Sequence, residues 1–224
     1  KGIEQAPIIV QKCYESVCKH SNQKIILLND QNLADYIRLP DYIEKKKDTG
    51  QIPIARYANL IEFALLEHYG GTWIDSTVYL TDPIPDVILN SDFFAVRNSL
   101  LLIDNPVLYP AWFLHAKKEN NTIREIRNVA FAYWLKNEHV IEYLLPNLII
   151  TLVVKSNSEV EQAIPYMNSD YSEYLVKVLA DDYSEEKWNW IKKLTGIHKL
   201  TYKLETAINR KDSFYQHIIA EKNK

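Results

Sequence analysis

Apolar positions alternate between helical and extended spacing through the first half of the chain and keep mostly helical spacing through the second. Residues 7–20 set Ile8, Ile9, Cys13 and Val17 on one face, after a Pro7 that suits a first helical turn. Residues 24–28, KIILL, follow a polar turn and read as a buried strand. Residues 31–37 read as a short helix closed by Pro40, and residues 41–50 as a polar, mobile surface segment. Residues 53–69 are apolar almost all round, which predicts a deeply buried helix. Arg56, Asn59 and Glu62 recur every three positions and share one stripe of that helix. A polar stripe on a buried helix faces water, a partner or a pocket.

Gly70-Gly71 supplies a positive-φ stop, and residues 72–74 then read as a strand that delivers Asp75. Residues 78–80 continue extended, and Pro83 and Pro85 bracket a turn. Residues 92–97 read as a strand, whereas residues 110–115, PAWFLH, fit either a strand or a helix start. Residues 119–122 look like a helix cap, leading into a long helix over 123–136. Residues 139–154 form a second apolar helical stretch, interrupted by Pro146 and Asn147. Three shorter helices are predicted over 156–166, 171–179 and 184–194, an extended return over 197–202, and a terminal helix over 211–221. The pattern gives an α/β sheet domain with a helical C-terminal part.

Composition narrows the function. With 224 residues and 47% hydrophobic content, the chain can build one sizeable core. A net charge of −3, with Lys and Arg spread thinly, leaves no basic footprint for nucleic acid. Lys45-Lys46-Lys47 is the only basic run and reads as a solvated face. Cys13 and Cys18 lie five apart on a predicted helix, so they point in different directions and fit neither a zinc motif nor a disulfide framework. No apolar run approaches the ~18 residues of a membrane span, and no signal peptide is seen at Lys1. A reducing, cytoplasmic setting is the simplest expectation.

The common nucleotide and hydrolase signatures are missing, and five glycines are too few for phosphate-cradling loops of those kinds. A nucleotide would be held by side chains, helix ends and a metal. A carboxylate at the end of a buried strand, just past a tight turn, is a usual place for ligand chemistry in an α/β protein. Asp75 stands in that place.

The run Leu65 to Val78, LLEHYGGTWIDSTV, resembles bacterial capsular polysaccharide synthesis proteins, which belong with the glycosyltransferases that carry a DXD sugar-binding region. Glu4 to Pro7, Leu39 to Ile43, Phe131 to Trp134 and Ile197 to Tyr202 are similar to other segments of that family, so the resemblance covers most of the chain. It implies a GT-A fold, a Rossmann-like sheet that binds a nucleotide-sugar. Residues 1–224 then form one domain, with a nucleotide-sugar half over 1–118 and a helical acceptor or lid half over 119–224. It further implies retaining transfer of a sugar, from a UDP-sugar or similar donor, onto a polysaccharide or oligosaccharide acceptor that can be lipid-linked, with peripheral association at the inner membrane face.

The resemblance also assigns residues. Asp75 matches the first aspartate of the DXD pattern, expected to contact ribose or a Mn²⁺ or Mg²⁺ ion, and Trp73 and Thr77 flank it. A cation there would stabilise the charge that develops on the leaving diphosphate. Thr77 stands where a longer motif has a second aspartate. Asn59 and Glu62 replace an aspartate and an arginine expected to contact the sugar, and Glu62 reverses the sign of that arginine. His198 is expected as a second metal or phosphate contact, and Lys199 as a contact for the diphosphate. The family pattern opens with a Trp- and Phe-rich strand that this sequence does not carry, which implies an incomplete seat for the base. From the residues alone, His198 can equally be an ordinary half-buried histidine, Glu62 an ion-pair partner of Arg56, and Asp181-Asp182 a helix-start cluster. The departures at Asn59, Glu62 and Thr77 leave open a relative that kept the fold as a binding or scaffold protein and lost the reaction.

Overall fold

The structure is a computed structural model, and it describes residues 2–99, 104–203 and 210–221. In chain order the elements are α1 (Ile8–His20), α2 (Leu33–Tyr36), α3 (Asp41–Asp48), α4 (Ile54–Tyr69), β1 (Gly71–Ile74), β2 (Val78–Leu80), α5 (Asp86–Leu89), β3 (Phe93–Ala95) and β4 (Phe113–Ala116). There follow α6 (Asn121–Lys136), α7 (Leu145–Ser156), α8 (Ser158–Ala163), α9 (Ser169–Ser172), α10 (Tyr174–Lys177), α11 (Glu185–Leu194), β5 (Ile197–Lys199) and α12 (Phe214–Ala220). The chain is mixed α/β, and its second half is mostly helical, as the periodicity implies. It divides into two units. The first comprises Lys1–Asn29, Ile74–Pro85 and Asn168–Lys224, and the second Asp30–Trp73 and Asp86–Met167. Each unit draws on both halves of the sequence.

In the second unit α4 packs on α6, α6 on α7, and α7 on α8. Phe63, Ile126 and Ile150 sit at the fully buried centre of this core. Its sheet has the order β1-β4-β3, with β3 and β4 antiparallel and Phe94 opposite His115. The ambiguous PAWFLH segment is therefore strand from Phe113 onward, where every residue is buried on both faces. Residues 41–50 correct the expectation of a mobile segment, because α3 occupies most of them. Asp41 and Glu44 open that helix and Lys45, Lys46 and Lys47 close it, the order the helix dipole favours. Ile43 is fully buried, and Lys46 Nζ donates to the carbonyls of Trp134 and Asn137 at the end of α6. The basic run thus caps a neighbouring helix. The apolar stretch over 139–154 becomes helical only at Leu145, which leaves Pro146 in the first turn, where its missing N–H costs nothing.

In the first unit β2 and β5 pair antiparallel, with Val78 opposite Lys199, Tyr79 opposite His198 and Leu80 opposite Ile197. Helix α1 lies on β2, and the Leu80 N–H donates to Ser16 Oγ at 2.9 Å. Ile9, Cys13, Leu175, Phe214 and Ile218 fill the core beneath. Both cysteines are free, as their spacing implies, and burial pushes the Cys13 thiol up to about 12. Residues 24–28 correct a second expectation: they form no strand, and Ile26 is 43% exposed. An apolar run becomes a strand only when a ladder receives it, and β2 and β5 pair with each other. The Rossmann-like sheet of the GT-A expectation is not formed among the described residues, whose sheets have three strands and two.

The turn from α4 into β1 depends on glycine. Gly70 holds φ at +70°, and a Cβ there would meet the Lys118 backbone nitrogen at 2.5 Å. Gly70→Ala is expected to lower unfolding free energy by roughly 2 kcal/mol in urea titration. A loss of under about 0.5 kcal/mol would contradict this reading of the turn.

Candidate functional site

Past β1 the chain tightens around Asp75, whose carbonyl accepts from the Val78 N–H at 2.9 Å. That turn starts β2, and pairing of β2 with β5 brings Lys199 back to the turn. Lys199 Nζ lies 2.8 Å from Asp75 Oδ2 and 2.8 Å from Thr77 Oγ1. The Thr77 carbonyl accepts from the Leu200 N–H at 2.8 Å, which locks strand to turn. The Asp75 side chain is 38% exposed and that of Lys199 23%, so solvent and solutes reach both. A pair this open contributes at most about 1 kcal/mol to stability. Glu173, a residue the sequence motifs did not single out, lies within electrostatic reach of Lys199. Burial raises its carboxyl above the ordinary range, and Lys177 and Lys199 oppose that shift.

His198 faces elsewhere. Successive residues of a strand point to opposite faces, so His198 and Lys199 cannot both turn toward Asp75. The His198 ring is fully buried, and its Nε2 lies 3.0 Å from Thr81 Oγ1. Burial depresses its pKa from 6.5 to about 4, so it is neutral near pH 7. The ring lies deeper than the half-buried histidine that the residues alone allowed.

Asn59, Glu62 and Trp73 belong to the second unit. Arg56 donates to Asn59 Oδ1 at 3.2 Å, and Asn59 Nδ2 donates to Glu62 Oε2 at 3.0 Å. The stripe along α4 is thus a relay. Asn59 stands between the arginine and the glutamate. Glu62 is fully buried, and Trp73 packs at the edge of the second core. Asp181 and Asp182 each hold a cation at 2.8 Å, Lys187 and Arg210 respectively.

A divalent cation at Asp75 would draw on few protein oxygens. The side chains gathered there offer one carboxylate and one hydroxyl, with an ammonium seated between them, and His198 turns away. No group of three or more His, Cys, Asp or Glu able to hold a metal occurs among the described residues. Hard cations take several oxygen ligands, so water and diphosphate oxygens would supply most of a coordination shell there, and Lys199 would first have to give way.

With this geometry in view, the comparisons place the chain. It belongs to the capsular polysaccharide synthesis protein family, whose model matches residues 1–218. No curated protein matches it. Membership ties the chain to capsule synthesis, and hence to saccharides. No helix among the described residues is long and apolar enough to cross a membrane.

The buried imidazole generates a pH dependence. Between pH 6.5 and about 4 the unfolded chain protonates at His198 while the folded chain does not. Stability is therefore fully present above 6.5, falls by roughly 3 kcal/mol as pH drops through that window, and levels off below it. Urea unfolding at pH 7 and pH 4 should show wild type losing more stability than His198→Gln. Equal losses would contradict the burial of a neutral ring.

Proposed function

We propose that the chain is a glycosyltransferase of capsule synthesis that holds the diphosphate of a nucleotide-sugar, a UDP-sugar in the first instance, at Lys199. One observation carries this reading: a single ammonium bridges Asp75 and Thr77 in a partly open turn at the end of GGTWID. The family's role in polysaccharide synthesis supports it. A partly exposed ion pair of small structural worth, at the run that resembles the family motif, suits a ligand contact better than a stability device. Asp75 holds the ammonium in place and Thr77 fixes its height. An arriving diphosphate exchanges its own oxygens for those contacts. As the anomeric C–O bond breaks, both electrons go to the diphosphate oxygen, and the positive charge of Lys199 stabilises them. The acceptor hydroxyl forms the new C–O bond on the same face and passes its proton to the departing diphosphate. Lys199 supplies charge neutralisation at the leaving diphosphate, the part a divalent cation would otherwise play.

The relay on α4 favours a second reading. Asn59 and Glu62 are tied to each other and Glu62 is fully buried, so the glutamate does not offer the sugar contact expected at its position. A binding or scaffold protein with this fold would show the same geometry.

The two readings separate on turnover. Lys199→Met is expected to lower transfer or slow donor hydrolysis at least about a hundred-fold, with less than about 1 kcal/mol lost in stability. Asp75→Asn should follow the same direction. Wild-type turnover in Lys199→Met would overturn the donor assignment, and a wild-type chain inert toward UDP-, GDP- and CDP-sugars would favour the scaffold.

A further inference from the structure

The second unit carries a cleft of about 570 Å³ where the starts of α6 and α8 approach the turn ahead of β3. Small-molecule sites commonly have volumes in that range. Its lining is dominated by carboxamides and carboxylates over an apolar floor of Phe93, Val153 and Val160. The amides are held in one orientation. Asn120 Oδ1 caps α6 by accepting from Thr122 and Ile123, and Asn157 Oδ1 caps α8 by accepting from Glu159 and Val160. Asn121 Oδ1 accepts from Arg124. With each oxygen committed, the NH₂ groups of these three side chains hold no hydrogen bond among the described residues and remain donors.

Acceptors complete the set. Glu125 and Glu159 line the cleft, are exposed, and form no ion pair among the described residues. Asp92 lines it too, already neutralised by Lys117 at 2.6 Å. Among the described residues no lysine or arginine lines the cleft, so a phosphate or uronate would meet like charge. The Asn caps have taken the backbone N–H groups that could otherwise have drawn an anion.

We infer that this cleft binds a neutral oligosaccharide, a stretch of the polysaccharide whose synthesis the family serves. A sugar hydroxyl both donates and accepts, so it satisfies fixed amide donors and carboxylate acceptors together, while the apolar floor takes the C–H face of a ring. The choice of saccharide rests on the polysaccharide role of the family. The alternative occupant, a basic peptide, would use the two unpaired carboxylates but leave the amide donors unused.

A glycan array of neutral and acidic oligosaccharides, followed by calorimetric titration of the best neutral binder, tests this on the full chain without any donor. Neutral glycans should bind. Ala163→Trp, which fills the mouth, and the double variant Glu125→Lys/Glu159→Lys should each weaken that binding at least tenfold at unchanged melting temperature. An array with no neutral binder, variants that bind like wild type, or hexalysine binding more tightly than any glycan would overturn the inference. Loss of UDP binding in Lys199→Met with glycan binding intact would count for the cleft and against nothing in it, since the two readouts fail separately.

Discussion

The antiparallel ladder between β2 and β5 is the constraint on which the candidate site depends. It sets Lys199 against Thr77 and against Asp75, 124 residues away in the chain. The register is decisive. A slip by one residue would turn Lys199 inward and His198 outward, and the site would lose its cation while a buried pocket gained one. Burial of the neutral His198 ring therefore helps fix the register that exposes its neighbour.

The rest of the first unit braces that ladder. Helix α1 covers β2, and Ser16 ties to the Leu80 amide. Tyr79 donates to Glu221 beyond the end of α12, and Lys12 reaches the Glu221 carbonyl. The carboxylate at Glu221 is held below its ordinary range chiefly through Tyr79 and Lys19, against the opposing effect of burial. These contacts close the C-terminal helix over the strand pair. The ladder is short, three residues a side, and such a ribbon is marginal without packing of this kind.

What could be read from the chain beforehand divides along physical lines. The run from α4 to Asp75 was legible because it is local: a continuous apolar helix, then two glycines in backbone conformations that other residues resist. The partnership of Asp75 with Lys199 was only half legible. The family resemblance marked both residues, but their contact belongs to tertiary structure. His198 was expected as a metal or phosphate contact from the family resemblance alone, although strand alternation places it on the face opposite Lys199. Helix α3 escaped notice since its stability comes from elsewhere, from the burial of Ile43 and the reach of Lys46 to α6. Residues 24–28 misled for the opposite reason, as composition suits a strand but no ladder takes them up. The cleft in the second unit could not be seen at all in a sequence whose asparagines look like ordinary helix caps.

The two units carry different chemistry. The first presents a cation held by a carboxylate and a hydroxyl, suited to an anionic leaving group. The second presents amides and carboxylates, suited to neutral hydroxyls. The central claim is that Lys199 does the work of a metal ion. It is tested most directly by calorimetric titration of UDP into the full chain, first stripped with EDTA and then supplied with Mn²⁺. If the ammonium anchors the diphosphate, the dissociation constant stays the same within about twofold in the two conditions; binding that appears only with Mn²⁺ would contradict it.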